Sequence, residues 1–276
     1  MDVKKILQVL MCVGTWCTGS AQLLADITSS PYPEAMTCTP SAPNALGFAA
    51  NPATLPFLQG VCAGFYMENR FMVSGLHVAE ATLGFARRGS GMGMAARYFG
   101  NPAYNEWHAS LYYAKQLGDI HLAASFQYNR YSITGYARAQ HWHIGLHSLW
   151  KLSDKVFSTI QLIDPPFARL AGDPGAFAAA YHLGLCYEAG EELCLSAALK
   201  KTEGLPLQMV AMVQYRFDRR YALRAGLSTA GPQPFFGLGR QWKDFRFEFA
   251  LTYHTVLGLS PGCLIDYQRP VNPFAS

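Results

Sequence analysis

Three histidines, His141, His143 and His147, recur at even spacing in one short stretch. On a β-strand, side chains two apart share a face, so these imidazoles stand in one row. Such a row holds a metal ion if a further ligand closes from a neighbouring strand, and His121 and His182 are the candidates. No carboxylate or cysteine stands at a fixed ligand spacing from them. The expectation is therefore a polar wall that histidine merely fills, with no metal and no cofactor. A second set, His108, Ser110 and His254, has the residue types of a hydrolytic nucleophile and base. No acid that would orient the base is legible, and there is no Gly-x-Ser-x-Gly elbow to expose the serine. The sequence thus predicts a protein that is not an enzyme and has no catalytic residues.

The elements that must position these side chains follow from composition. Hydrophobic residues make up 50% of the 276 residues and aromatics 13%, while only 14% are charged. Soluble domains carry about a quarter charged residues. Apolar surface is therefore being solvated by something besides water. The formal charge of +4 is spread along the chain, so no basic stripe exists for phosphates and nucleic acid is not an expected partner. Lys4 and Lys5 precede an apolar run from Ile6 to Val13, and small residues follow from Thr18 to Ala21. That is a signal-peptide pattern, with cleavage expected before Gln22, so residues 1–21 are set aside. Bulky Met11 and Trp16 precede Cys12 and Cys17, which argues against lipidation. No later segment approaches the roughly 18 apolar residues of a spanning helix. Membrane embedding must come from strands.

Residues 22–59 are rich in Pro, Ser, Thr and Ala and lack a long period. They read as an irregular N-terminal plug segment, with Gly47, Phe48, Asn51 and Pro52 as its candidate hatch residues. From Gly60 onward, apolar and polar residues alternate in stretches of about ten, the transmembrane-barrel pattern. Phe245, Phe247, Phe249, Leu251 and Tyr253 share one face, opposite Arg246, Glu248 and His254. Ile120, Leu122 and Phe126 likewise oppose His121 and Gln127, and Trp142 and Ile144 oppose His141, His143 and His147. The expected lumen-facing residues are His121, Gln127, His141, His143, His147, His182, Arg246, Glu248 and His254. Trp107, Trp142, Trp150 and Trp242 are expected in interfacial girdles on the outside.

Strands are expected near 60–67, 77–87, 91–100, 105–116, 119–132, 140–152, 155–164, 177–188, 192–202, 206–217, 220–229, 234–242, 246–256 and 261–268. Tight turns such as Lys243-Asp244 alternate with longer loops that hold most of the remaining Pro and Gly. Short turns at one rim and longer loops at the other fit a barrel with both termini in the periplasm. The fold class is all-β, a transmembrane antiparallel up-and-down barrel of about 14 strands over residues 60–276 with an N-terminal plug segment. Glycines at Gly89 to Gly93 and Gly237 to Gly239 are expected to permit kinks in the wall. Cys186 and Cys194 flank a turn at Gly190 and should stand roughly opposite one another, where two unpaired small residues are expected and a bridge is the alternative.

Ordered segments along the chain also resemble a family. They are GFAANPA at Gly47 to Ala53, FYMENRF at Phe65 to Phe71, YFG at Tyr98 to Gly100 and YNE at Tyr104 to Glu106. YAKQLGD at Tyr113 to Asp119, RAGLSTAG at Arg224 to Gly231 and YHTVLGLSPG at Tyr253 to Gly262 continue the series. Together they resemble outer-membrane barrels related to the long-chain fatty acid transporters (FadL), a wider group that includes PorV-like secretion components. The resemblance implies about fourteen strands around an N-terminal hatch, in the Gram-negative outer membrane. It implies passive transport of small hydrophobic ligands or, as the alternative, a scaffold or shuttle subunit of a protein secretion machinery. Expected partners are outer-membrane lipid, the barrel-insertion machinery, and a hydrophobic small molecule or a secretion-system subunit.

Overall fold

The computed structural model describes residues 30–36, 43–58, 60–136, 138–165, 178–190, 192–218, 220–229 and 232–269. The expected signal peptide lies outside them. Fourteen strands alternate along the chain: β1 (Gly60–Asn69), β2 (His77–Arg87), β3 (Ser90–Gly100), β4 (Tyr104–Leu117), β5 (Ile120–Ile133), β6 (Ala139–Lys151) and β7 (Val156–Ile163). They continue with β8 (Ala180–Glu188), β9 (Leu193–Thr202), β10 (Gln208–Phe217), β11 (Tyr221–Ser228), β12 (Gln233–Trp242), β13 (Phe245–His254) and β14 (Gly258–Arg269). Each pairs antiparallel with its neighbours in sequence, and β1 pairs with β14 from Val61↔Arg269 to Glu68↔Gly262. The sheet is a closed barrel with no free edge.

Closure satisfies every strand's hydrogen-bonding groups from a neighbour, the condition for crossing lipid without helices. Among the described residues no helix is long and apolar enough to cross a membrane. The outward positions are the apolar ones. Leu83, Phe85, Leu111, Phe126, Leu183, Leu185, Leu238, Phe247 and Phe249 all stand exposed on the outer surface. Trp107 and Trp142 flank this band towards one rim, and Trp150 and Trp242 towards the other, all exposed. Such a band between aromatic girdles is a lipid-facing surface.

One rim, the turn rim, carries the connections 88–89, 118–119 and 243–244; the other, the loop rim, carries 70–76, 134–138 and 164–179. The tight hairpin at Arg88-Gly89 has φ of 54° and 74°, the doubly left-handed geometry that matches strand twist. The last strand starts three residues earlier than the sequence suggests. Gly258 at φ 93° absorbs the turn and leaves Pro261 inside β14, paired with Leu251.

The described residues 30–36 and 43–58 pack against inward-facing positions of the wall. Helix α1 (Pro31–Glu34) packs against β12 and β13, and α2 (Gly47–Ala50) leads into a 3-10 helix (Pro52–Phe57) against β2 to β6. Two apolar clusters result. Ala45, Phe48, Ala53, Leu55 and Leu58 pack with Cys62, Ala86, Tyr112, Ala114, Leu149 and Phe157 in one. Tyr32, Met36 and Leu46 pack with Tyr66, Met212, Phe235, Ala250 and Leu264 in the other.

The glycines expected to kink the wall have another role. The β2–β3 and β12–β13 ladders run unbroken through Gly91, Gly93, Gly237 and Gly239. What these positions lack is an inward side chain. A Cβ on Gly93 or Gly84 would lie 2.8 or 2.9 Å from the Phe48 ring, and one on Gly91 would lie 2.9 Å from Leu55 Cβ. A Cβ on Gly237 would run into the Tyr32 hydroxyl. The glycines are sockets for the inner segment, a close approach that any side chain forbids.

Candidate functional site

The interior is built by parity: alternate residues of each strand point inward, and the sequence places polar groups there. All nine expected lumen residues occupy inward positions, but they do not converge. His121 Nδ1 lies 3.2 Å from the Ala53 carbonyl, and its ring lies 4.5 Å from that of Phe57, so it braces the 3-10 helix. His143 pairs with Asp164 at the start of the long β7–β8 loop. His254 accepts from the backbone N–H groups of Val256 and Leu257, each at 3.2 Å, and caps the β13–β14 turn. His141 and His182 are inward and partly buried on β6 and β8. These histidines form no ligand cluster among the described residues; the group of metal-ligating types drawn together there is Cys186, Glu188 and Cys194.

His147 belongs to an arrangement that the sequence did not suggest. Its Nε2 lies 2.9 Å from Ser125 Oγ and its Nδ1 lies 3.1 Å from Gln161 Oε1. Gln127 Nε2 donates to the same Ser125 Oγ at 3.4 Å. Gly145, paired with Ser125 across β5 and β6, makes the approach possible, because a Cβ there would meet both Ser125 and His147. The order serine, histidine, amide is that of a nucleophile, base and orienting group. All three are buried, and the neighbouring backbone N–H groups of β5 and β6 are committed to the sheet, so among the described residues no backbone donor pair of these strands is aimed at a developing oxyanion. The chain of bonds orders the wall. The other hydrolytic candidates are separated too: His108 pairs with Glu106 at 3.2 Å, and Ser110 is buried two positions along β4.

The densest polar construction runs across β10 to β14. Arg224 Nε donates to Gln214 Oε1 at 2.7 Å, and Nη1 donates to Glu248 Oε1 at 2.5 Å. Both ion-pair side chains are fully buried. Arg246 Nη2 donates to Asp266 Oδ2 at 3.2 Å, and its Nε stands 3.8 Å from Glu248 Oε2. The glycines of β12 leave room for this inward row. Asp266 then reaches the inner segment by accepting from Ala45 N at 2.8 Å, while Gln268 Nε2 donates to the Pro43 carbonyl at 2.6 Å. Arg246 and Glu248 were expected in the lumen; Arg224 and Asp266 were missed. Their signal is parity alone, a charged residue between apolar neighbours in each strand.

At the loop side, Glu68 is buried and accepts from Ser30 Oγ and Tyr66 Oη, each at 2.5 Å, and from Arg70 Nη1 at 3.1 Å. Lys200 meets Glu34 at 3.2 Å. The expected hatch residues lie between these ties. Asn51 Oδ1 accepts from Ala53 N at 3.1 Å and starts the 3-10 helix, with Pro52 as its first residue. Gly47 lies against the Met36 carbonyl, where a Cβ would stand 3.2 Å away, and Phe48 is fully buried with its ring 5.8 Å from that of Tyr112.

Two concavities accompany this construction. A polar cavity of about 270 Å³ at the turn rim is lined by Arg216, Arg220, Arg246, Asp244 and Asp266. An apolar groove of about 480 Å³ crosses the outer surface of β11 to β14, with Phe247, Phe249 and Ile265 as walls and Gly239, Glu248 and Leu264 reached at its floor.

No protein-family model and no curated protein matches the sequence. Solved structures do match. The CymD monoaromatic hydrocarbon channel aligns with a TM-score of 0.62 at 14% identity, covering 87% of this chain and 97% of that one. A TodX monoaromatic hydrocarbon channel mutant aligns with a TM-score of 0.56 at 11% identity, over 83% of this chain and 94% of that one. At these identities the shared property is the fold.

Proposed function

We propose that the chain is a non-enzymatic outer-membrane channel that passes small apolar molecules passively, with residues 22–59 as its plug and residues 60–276 as its wall. The carrying observation is how the inner segment is seated. Phe48, Leu55 and Tyr32 rest in glycine sockets of a closed wall, and no strand pairing ties them there. Apolar contacts and a handful of hydrogen bonds can be broken and remade without opening the sheet, as a conduit's plug requires. The outward apolar band supports lipid as the surroundings. Short turns at one rim support a periplasmic turn rim and periplasmic chain ends. The two similar structures are monoaromatic hydrocarbon channels, which supports ligands of that size and polarity.

The test is uptake of radiolabelled toluene by cells that keep an intact lipopolysaccharide leaflet, with and without the chain. Faster uptake of toluene, with no change for a sugar of similar size, is expected. Equal uptake in both cell lines would sink the proposal.

A further inference from the structure

Cys186 and Cys194 lie in the apolar cluster that also holds Phe48, Leu55 and Phe157. Both point inward at the turn-rim end of the β8–β9 hairpin, and both are buried. They are not opposite one another. Cys194 faces Glu188 and Cys186 faces Ser196, so the two stand on a diagonal. The right-handed twist of a two-stranded ribbon draws one diagonal together, and here the Sγ atoms are 3.2 Å apart.

We infer that Cys186 and Cys194 are joined by a disulfide in the mature protein and staple this hairpin at the turn rim. Three observations carry this. The Sγ separation exceeds a disulfide bond by only about 1 Å, within reach of small side-chain rotations. A tetrahedral zinc ion holds two thiolates about 3.8 Å apart, so the pair is already closer than a metal would set it, although the Glu188 carboxylate lies in the same group. The bond also staples a short hairpin. β8 and β9 have 9 and 10 residues against 14 in β4 and β5.

The chemistry needs an oxidant, and a disulfide-bearing thiol oxidoreductase of the extracytoplasmic space supplies it. The inference therefore rests on the outer-membrane location proposed above. One thiolate attacks the oxidant's disulfide and forms a mixed disulfide; the second thiolate displaces the oxidant as a dithiol. Two S–H bonds are lost, one S–S bond forms, and two electrons and two protons leave with the oxidant. Because both thiols are buried in the finished barrel, oxidation precedes closure of the sheet.

The experiment alkylates the full chain with N-ethylmaleimide in denaturant directly after isolation of the outer-membrane fraction, then maps the cysteines by mass spectrometry without reduction. The expected result is a Cys186–Cys194 linked peptide, two hydrogens lighter than the reduced pair, with exposed Cys263 alkylated as the internal control. Alkylation of both Cys186 and Cys194 in that fraction overturns the inference, whether the thiols were free or had held a metal ion. Absence of the chain from the fraction overturns the location itself, a different outcome. In the C186S variant, Cys194 becomes alkylated and amide exchange accelerates in the β8–β9 hairpin while β4 and β5 are unchanged. Unchanged exchange in the hairpin overturns the staple.

Discussion

The two halves of the interior hold the same N-terminal segment by different balances of apolar and polar contact. Against β2 to β7, Phe48, Leu55 and Phe57 sit in glycine sockets and aromatic contacts, with the His121 bond to the Ala53 carbonyl as a polar tie. Against β10 to β14, Tyr32 and Met36 are also seated in apolar contacts, but a polar row is added, Gln214, Arg224, Glu248, Arg246 and Asp266, which ends on the backbone of Ala45. Apolar seating is non-directional and roughly proportional to area, so it tolerates small shifts of the segment. A buried ion pair is costly to desolvate and keeps its balance only in one geometry. Both halves supply attachment, and the charged row of the second adds registration.

That contrast can be broken experimentally. The largest effect is expected from Arg224→Met, which leaves the Glu248 carboxylate buried without its guanidinium and costs about 3 to 5 kcal/mol. A urea unfolding midpoint in detergent checks this; a change under about 1 kcal/mol would mean that the row behaves like surface charge. Restoring balance with Arg224→Met and Glu248→Gln together should recover most of the loss, a result that no apolar-half variant can imitate. Next comes Phe48→Ala, at about 3 kcal/mol for a truncated buried ring. Its readout is local, as faster protease cleavage and amide exchange at 43–58 while the strands keep their protection; uniform loss along the wall would refute separate seating.

Filling a socket is the sharper probe. Gly237→Ala puts a methyl group into the Tyr32 hydroxyl, and overpacking of this kind costs about 1 to 3 kcal/mol. Displacement of α1 should appear as increased toluene uptake, and unchanged uptake would separate α1 from the conduit. The smallest effect belongs to the turn rim. A hydrogen bond and charge from Lys151 hold the Asp154 carboxyl below its ordinary value. A depressed acid contributes above its unfolded-state value and loses that contribution as pH falls through the folded one. Both groups face solvent, so Asp154→Asn should leave the unfolding midpoint at neutral pH unchanged. A clear drop would show that this turn is anchored in a way the open surface does not explain.

The candidate site was less legible than the wall. Parity in β13 identifies Arg246 and Glu248 as inward, and the same reasoning applied to RAGLS would have found Arg224. It could not pair Arg224 with Glu248, because β12 stands between them and only the glycines of that strand let the side chains meet. The row of histidines shows the same limit. Shared facing put His141, His143 and His147 in one row of the wall, but could not show that His143 turns to Asp164 and His147 to Ser125 and Gln161. The secretion-scaffold alternative finds no support among the described residues or in the structural matches.

Alternation with period two determined the strands, the inward and outward sets and the apolar band, because side-chain direction on a strand is a local property of the backbone. Turn residues determined where the strands end to within a few positions. Only the tertiary structure decided that the glycines receive Phe48, Leu55 and Tyr32, that a serine, a histidine and a glutamine line up, and that two cysteines meet on a diagonal. Those outcomes depend on the stagger between neighbouring strands and on the path of the inner segment, both set by closing the whole ring at once. Periodicity within any one strand carries no record of either.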